Sequence, residues 1–342
     1  MLGGQQSFAA SIERALTSMP GNEELWHLLV TTLIQADRFD AAQAAIRRGR
    51  EAVGEVPFLL ANEAVVLSET GSVAAADVCF DRFAGVDHVM LAVRLVRHQL
   101  RNGRIEAATM LIDRWFDAPD AAPIWPYASI AWRLSGDVRS EWLEGQEGLV
   151  SVVDLADRLP PLARLAEVLR GLHQARSRHL DQSVRGGTQT DGALLARTEP
   201  EIVALRSALV AATEAHVAGL PAPHPRHPTL SPRRDRTPRF SGSWSVRLRG
   251  NGFRANHVHP AGWLSSALYI ALPDGMDSPG GHAGWLALGE PQRELGLSLH
   301  AERLIEPKPG RLVIFPSTMW HGTRPFDDGE RLTVAFDVMR PA

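Results

Sequence analysis

This chain has little cysteine and a small net charge. A single cysteine, Cys79, stands among 342 residues, which excludes an internal disulfide framework and is typical of a reducing compartment. The formal net charge of -3 gives no general attraction to nucleic acid or to an anionic membrane surface. We therefore expect neither nucleic acid nor a membrane as a partner.

Long apolar runs are missing as well. No run of about eighteen apolar residues occurs, and the first residues lack the basic-then-apolar order of a signal peptide. Together with the lone cysteine, these absences predict a cytoplasmic protein. The apolar and charged fractions are ordinary for a globular protein, and the length is sufficient for two domains.

Short turn-like breaks recur in the first part of the chain. Each begins with a turn residue and continues with an apolar residue and, in the first three, small alanines; the breaks start at Asp37, Gly71, Gly103 and Gly136. An apolar stretch precedes each break and is predicted as a helix: 25–34, 58–67, 91–100 and 125–134. Small alanines after a tight turn allow two helices to pack closely.

The spacing of about 34 residues resembles the tetratricopeptide repeat, a helix, a turn and a second helix. The resemblance covers roughly 20–145, although the fourth unit lacks the alanine pair. It implies a solenoid whose concave face binds a protein or peptide partner. Two alternatives stay open: an ordinary bundle of helical hairpins, and an array that only braces the rest of the chain or dimerises.

The middle of the chain reads as mostly helical, with apolar residues at helical spacing in 155–172 and 199–217. Between them, the polar, glycine-bearing segment 179–190 is predicted as a loop. Its Gln182 and Arg185 are candidates to line a substrate pocket, and the alternative is a solvated turn. The proline-rich, basic segment 220–238 is predicted as an extended lead into a sheet.

After Phe240 the pattern changes to short apolar runs separated by turn residues. These runs predict strands at 244–248, 264–272, 284–288, 311–315 and 332–338. Many short strands favour a sandwich or a closed barrel. Asp328-Gly329 is a hairpin signal, and we expect it to pair the strand bearing Arg331 antiparallel to the strand that ends near His321, so that both residues face one cavity.

Three histidines and one arginine in this region suggest a metal site. His257 and His259 are two residues apart, so on a strand both project from the same face. His321 could complete a three-point site, because imidazole is a good ligand for iron, zinc, copper or nickel. Arg331 offers a guanidinium fork suited to a carboxylate. The combination predicts a metal site beside an arginine that binds a carboxylate group of a ligand.

The same region resembles the iron(II)/2-oxoglutarate-dependent oxygenases. The matching stretches are 256–260 (Asn-His-Val-His-Pro), 263–269, 280–286, 309–317, 320–322 (Trp-His-Gly) and 331–333 (Arg-Leu-Thr). The resemblance implies a double-stranded β-helix, or jelly-roll. We therefore expect a multidomain α and β protein: a tetratricopeptide-like helical domain at 1–147 and an oxygenase domain at 148–342, with helical support at 148–220 and a β-helix core at 238–342.

The resemblance also implies roles for residues. His257 matches the first histidine of the family's metal triad and His321 the distal one, while position 259, where the family usually has a carboxylate, is a histidine. His259 could be a third imidazole ligand or could hydrogen-bond behind the ligands. Arg331 matches the residue that pairs with the distal carboxylate of 2-oxoglutarate. Further expected contacts are Thr333 and Tyr269 to the co-substrate and Trp263 or Trp320 to the substrate.

The implied activity is that of a non-haem dioxygenase that uses Fe(II), 2-oxoglutarate and O₂. It hydroxylates a protein, a peptide or a small molecule and releases succinate and CO₂. No protein catalytic residue is expected beyond the metal site. Two alternatives remain at this point: a catalytically inactive repeat scaffold, and a three-histidine cupin-type dioxygenase that does not use 2-oxoglutarate.

Overall fold

The computed structural model describes residues 9–174, 183–273 and 281–341. The chain divides into two compact units, one up to Gly103 and one from Arg104 onward. The α-helices are α1 (Ala10–Ser18), α2 (Glu23–Gln35), α3 (Phe39–Val53), α4 (Pro57–Glu69), α5 (Val73–Asp81), α6 (Val89–Arg101), α7 (Ile105–Trp115), α8 (Trp125–Ser135), α9 (Leu162–Leu172) and α10 (Pro200–Gly219). The strands are β1 (Ser151–Asp154), β2 (Val184–Gln189), β3 (Phe240–His257), β4 (Gly262–Ala271), β5 (Leu286–Leu288), β6 (Arg303–Ile305), β7 (Arg311–Pro316), β8 (His321–Thr323) and β9 (Glu330–Met339).

The recurring breaks lie between helices, as predicted. Asp37, Gly71, Gly103 and Gly136 have φ angles of 56°, 83°, 68° and 69°, in the left-handed region that a helix cannot continue through. The four helices predicted before the breaks are α2, α4, α6 and α8, with ends that differ from the prediction by at most two residues. The positions of these helices are therefore confirmed.

Within the first unit, α2 packs with α3, and α4 packs with α5. The small residues after the breaks are buried at these contacts: Ala42 and Ala76 have no exposed surface. A Cβ added at Gly49 of α3 would lie 3.3 Å from the Leu59 side chain of α4, which shows how closely the helices approach. Paired helices are thus present, and their assignment as a tetratricopeptide solenoid stays a prediction.

The second unit is built on a curled antiparallel sheet. Among the described residues the strands lie in the order β1-β7-β4-β9-β3-β8-β5-β6, and β2 pairs with β3. Alternation along the strands sorts the side chains onto two faces. Leu332, Val334 and Phe336 of β9 share a core with Leu165 of α9 and Leu205 of α10. The intervening residues of β9 point to the inner face, where the predicted site lies.

The strand β3 joins the two halves of this sheet. It pairs with β9 from Phe240 to Arg249 and with β8 from Arg254 onward. Between these parts, the ribbon of β2 and β3 turns a corner: Gly186 has a φ of 71°, and a Cβ there would lie 2.9 Å from the Cα of Gly252. Only glycine fits such a corner. The curled sheet agrees with the expected jelly-roll.

Two local predictions are wrong. The strands on either side of Asp328-Gly329 are not paired, because β8 pairs with β3 and β5 while β9 pairs with β3 and β4. The Asp328-Gly329 turn instead connects β8 and β9 across the two halves of the sheet. Each of these strands pairs with a different part of β3, so β3 lies between His321 and Arg331. Residues 184–189, predicted as part of a loop, form β2, because their main chain completes the edge of β3.

Helix α10 is the helix in the described part of the chain that is long and apolar enough to cross a membrane by length and composition. Its Leu205, Leu209 and Val217 are buried in the core shared with the sheet. Packing in that core accounts for its apolar composition. Helix α9 ends at Leu172, and both helices lie within the ranges predicted as helical support.

The predicted domain boundary at residue 147 differs from the division into compact units, which falls at Gly103. Helices α7 and α8, which belong to the repeat by their spacing, fall in the second unit. There the carbonyl of Pro126 in α8 accepts a hydrogen bond from the indole of Trp320, at 2.9 Å. The boundary at 147 stays a prediction.

Candidate metal centre

Three histidine side chains converge on the inner face of the curled sheet. His257 is the last residue of β3 and His321 the first of β8, and they are register partners. His259 lies two residues beyond the end of β3, so the expectation that both residues of the pair stand on one strand is wrong. The ring centroids are 4.2 Å apart for His257 and His321, and about 5 Å apart for each of these with His259.

The hydrogen bonds of the three rings fix which nitrogen is available. Nδ1 of His257 and Nδ1 of His321 each face the backbone carbonyl two residues earlier, at 2.8 and 2.9 Å. Nδ1 of His259 faces Oδ2 of Asp337 at 2.7 Å. These oxygens only accept hydrogen bonds, so each Nδ1 is the donor. With the proton on Nδ1, a ring in its neutral form has the Nε2 lone pair left for a ligand.

The protonation states also suit metal binding. One ligand atom from each of the three rings can be chosen so that all lie within 4.8 Å of one another. Burial is the main cause that holds the pKa of His257 and of His321 well below the usual value for histidine, and neighbouring positive charge adds to it. Both rings are therefore neutral at neutral pH, as metal ligation requires.

The carboxylate beside His259 is itself held in place. Ser265 of β4, the register partner of Asp337, donates a hydrogen bond to Oδ1 of Asp337 at 2.6 Å. Oδ2 is thereby directed to His259. A carboxylate behind a histidine orients the ring and makes its other nitrogen a better ligand. This arrangement favours His259 as a third ligand, of the two roles that the sequence left open.

A candidate carboxylate pocket lies on the same inner face. The Arg331 side chain is buried at 2 % exposure, and its guanidinium carbon is 5.0 Å from the centre of the Tyr269 ring. Thr333, two residues along β9, is the register partner of Tyr269. Nε of Arg331 and the hydroxyl of Tyr269 are buried without a hydrogen-bond partner among the described residues. Such donors are costly unless a ligand accepts from them.

The strand β9 connects the two parts of the site. Arg331, Thr333, Ala335 and Asp337 alternate along it, so their side chains share the inner face. One strand therefore supplies the cationic fork at one end and the carboxylate that orients His259 at the other. The distance between Asp337, behind His259, and Arg331 is thereby set by a strand rather than by a loop.

Comparison with known proteins identifies this region. Residues 242–337 match the protein family described as "Putative 2OG-Fe(II) oxygenase", and this range includes the three histidines, Arg331 and Asp337. This part of the chain is similar to the 2OG-Fe(II) oxygenases. No curated protein matches the chain in sequence.

Solved structures similar to this chain include the following three. A prolyl-4-hydroxylase from Pseudomonas putida is 18% identical with a TM-score of 0.37, over 61% of this chain and 99% of that one. The viral collagen prolyl hydroxylase of Paramecium bursaria Chlorella virus-1, solved with 2-oxoglutarate, is 14% identical with a TM-score of 0.36, over 56% and 95%. HygX from Streptomyces hygroscopicus, solved with nickel, 2-oxoglutarate and hygromycin B, is 12% identical with a TM-score of 0.37, over 60% and 86%. Likeness at these TM-scores says nothing further about the function of this chain.

The structure brings most of the predicted site residues together. His257, His259 and His321 form the cluster, and Arg331 lies with Thr333 and Tyr269 in the pocket; their roles as ligands and anchors stay predictions. Gln182 lies outside the described residues. Arg185 is in β2, half-buried, and donates to the carbonyl of Val184 at 3.2 Å.

The two tryptophans suggested as substrate contacts lie in the packed core. Trp263 is 4 % exposed and Trp320 is 2 % exposed. Their indole N–H groups are hydrogen-bonded to the carbonyls of Thr229 and Pro126. Both side chains thus have satisfied donors in the packed core, and their role as substrate contacts stays a prediction.

Sequence reasoning missed Asp337 and Arg254. Asp337 was detectable in principle, because it is six residues after Arg331 on a predicted strand and an even spacing places both on one face. Arg254 was not detectable, because its position depends on the corner in β3. Its Nη2 lies 3.2 Å from Nε2 of His257, and its Nε donates to Oγ of Ser183 at 3.1 Å.

Proposed function

We propose that the protein is a non-haem Fe(II)/2-oxoglutarate-dependent dioxygenase that hydroxylates its substrate and releases succinate and CO₂. The observation that carries this proposal is the pairing of two features on one inner face. Three imidazoles each offer a ligand nitrogen, all within 4.8 Å of one another, and the buried Arg331 on the same face has a donor without a hydrogen-bond partner among the described residues. A redox metal and a carboxylate co-substrate fit these two features.

Each residue has a defined task in this proposal. His257, His259 and His321 hold the metal, and Asp337 keeps His259 in the ligating tautomer. Arg331, with its fork, orients the distal carboxylate of 2-oxoglutarate. With the metal and co-substrate bound, the chemistry supplied is oxidative decarboxylation coupled to hydroxylation of a C–H bond.

The inner wall near these residues is apolar. Val313 and Phe315 of β7 and Leu286 and Leu288 of β5 form a buried cluster with Tyr269. Phe315 also packs against the His321 ring, with ring centroids 4.8 Å apart. Such a wall excludes water from the space between the carboxylate pocket and the metal ligands, which strengthens the electrostatic contacts made there.

Anaerobic titration tests the proposal. Iron(II) and then 2-oxoglutarate are added to the purified metal-free protein, and the visible charge-transfer band of the chelate is recorded. We expect the band in the wild type and its loss in His321→Ala. The matched control is His300→Ala, because His300 is exposed, and we expect it to keep the band.

The outcomes separate the alternatives. Metal binding without a band, and without succinate during turnover, would instead support a three-histidine dioxygenase that does not use 2-oxoglutarate. The absence of metal binding would support an inactive scaffold. Normal iron content and activity in His321→Ala would reject the assignment of the metal centre.

We propose further that the helical region presents a protein or peptide to this site in the cytoplasm. The support is the series of paired helices and an apolar side chain on their surface, Leu28 of α2, which is 50% exposed. Leu28→Glu should weaken turnover of a peptide substrate without changing turnover of its free amino acid. Equal effects on both would contradict a recruiting role for this surface.

A further inference from the structure

A second arginine lies at the metal centre, on the opposite part of the sheet from Arg331. Arg254 stands three residues before His257 on β3, and a register irregularity between them brings both side chains to the same space. Its guanidinium donates to Ser183 and faces Nε2 of His257. The guanidinium carbon is also 6.0 Å from the centre of the Trp244 ring, which in turn is 5.8 Å from the His259 ring.

The guanidinium of Arg254 has no carboxylate partner among the residues that the structure describes. Its hydrogen-bond partners there are a hydroxyl and an imidazole nitrogen. Burial lowers the pKa of Arg254 to about 10. The Asp337 carboxylate raises this pKa, and the positive charge of Arg331 lowers it further. The side chain is therefore still cationic at neutral pH, and it shares one electrostatic environment with Asp337 and Arg331.

Metal binding would remove one hydrogen-bond acceptor from Arg254. A metal on Nε2 of His257 uses the lone pair that Nη2 of Arg254 faces, so the guanidinium loses one of its two acceptors. A divalent cation and the Arg254 and Arg331 guanidinium groups then act on the site together with the carboxylate of Asp337. Buried excess charge of this kind is stable only when a counter-ion accompanies it. An oxyanion beside the metal supplies that counter-ion.

We propose that Arg254 is a second carboxylate-binding residue, and that Arg254 and Arg331 hold the two ends of one dicarboxylate. This inference rests on the proposed function: the dicarboxylate is the co-substrate 2-oxoglutarate. Arg331 takes the carboxylate distant from the keto group, and Arg254 takes the carboxylate next to it. A guanidinium is suited to this task because its planar fork donates two parallel hydrogen bonds to one carboxylate.

Two monocarboxylate analogues isolate the two ends. 2-Oxopentanoate keeps the carboxylate next to the keto group, and 4-oxopentanoate keeps only the distant one. Binding of these and of 2-oxoglutarate is measured by calorimetry on the protein loaded with Mn(II), which does not require turnover. We expect Arg254→Gln to weaken 2-oxoglutarate and 2-oxopentanoate by roughly tenfold to a hundredfold and to leave 4-oxopentanoate unchanged.

The reciprocal variant and a control complete the design. Arg331→Gln should weaken 2-oxoglutarate and 4-oxopentanoate and leave 2-oxopentanoate unchanged. Arg249→Gln, an exposed arginine on the same strand, should change none of the three. Mn(II) affinity is measured for each variant, and Arg254→Gln should retain it.

The results distinguish the inference from the function. If 2-oxoglutarate does not bind the wild type, the proposed function fails. If it binds and Arg254→Gln leaves its affinity unchanged, the inference alone fails.

Two other outcomes would also overturn the inference. Equal weakening of both analogues in Arg254→Gln would show that the residue only supports the shape of the site. A change confined to the Michaelis constant of the prime substrate would assign Arg254 to that substrate instead.

Discussion

At the scale of single residues, the candidate centre has a histidine at position 259, where the oxygenases that this region resembles usually have a carboxylate. The carboxylate of Asp337 lies behind His259, 2.7 Å from its Nδ1. A histidine held in this way is both oriented and more basic.

We expect Asp337→Asn to lower metal affinity by about tenfold to a hundredfold. The amide can present its NH₂ group to Nδ1 of His259, which favours the tautomer with the proton on Nε2 and removes the ligand lone pair. Metal affinity is measured by competition with a chromogenic chelator. Asp327→Asn, at an exposed turn position, is the control, and equal affinities in both variants would limit Asp337 to a packing role.

Tyr269 gives a second prediction at this scale. Its buried hydroxyl has no partner among the described residues, so Tyr269→Phe should leave the free energy of unfolding unchanged or raise it. The same change should weaken 2-oxoglutarate binding severalfold if the hydroxyl donates to the co-substrate. Chemical denaturation and calorimetry measure the two quantities, and unchanged affinity would remove Tyr269 from the carboxylate pocket.

At the scale of elements, the corner in the ribbon of β2 and β3 places the site. Beyond the corner β3 pairs with β8, which carries His321, and before it β3 pairs with β9, which carries Arg331. Gly186 and Gly252 allow this change because their backbones approach more closely than a Cβ permits. The metal ligands and the carboxylate pocket face each other for this reason.

Gly186→Ala should therefore destabilise the protein by about 1–3 kcal/mol and also weaken metal binding. The alanine has an unfavourable φ and a Cβ that meets Gly252. Gly192→Ala is a matched control, because Gly192 has the same φ of 71° but nothing within 4 Å of an added Cβ. The control isolates backbone strain, and identical losses in both variants would mean that the corner has no special role.

At the scale of the whole molecule, one buried acid links stability to pH. Glu144 lies in a short π-helix, Glu141–Gly145, and accepts a hydrogen bond from Ser129 at 2.6 Å. Burial raises the pKa of Glu144 from an ordinary value of 4.5 to about 8. The folded protein therefore keeps a proton at neutral pH that the unfolded chain has released.

The sign of the pH dependence follows. The stabilisation that Glu144 contributes is fully present below pH 4.5 and is lost as the pH rises through 8. The free energy of unfolding falls by a few kcal/mol across this range. Glu144→Gln should remove this loss, because the amide does not ionise. Thermal unfolding between pH 6.5 and 9 measures the slope, with exposed Glu147→Gln as the control; an unchanged slope in Glu144→Gln would contradict the prediction.

Local chemistry allowed much of this protein to be predicted. Turn residues and apolar periodicity located α2, α4, α6 and α8, because a left-handed residue such as Gly71 ends a helix whatever surrounds it. Short apolar runs between turn residues located β4, β7 and β9. The residue types alone suggested His257, His321 and Arg331 as the core of a metal and carboxylate site.

Tertiary structure decided how these parts meet. Short strands such as β2 and β8 are held by pairing with β3 rather than by their own propensity, so their sequences give little signal. The corner at Gly186, the burial of Trp263 and the approach of Arg254 to His257 all depend on contacts between distant segments. The sequence by itself determined which residues could bind a metal and a carboxylate; only the folding of β3 between two halves of the sheet brought them to one cavity.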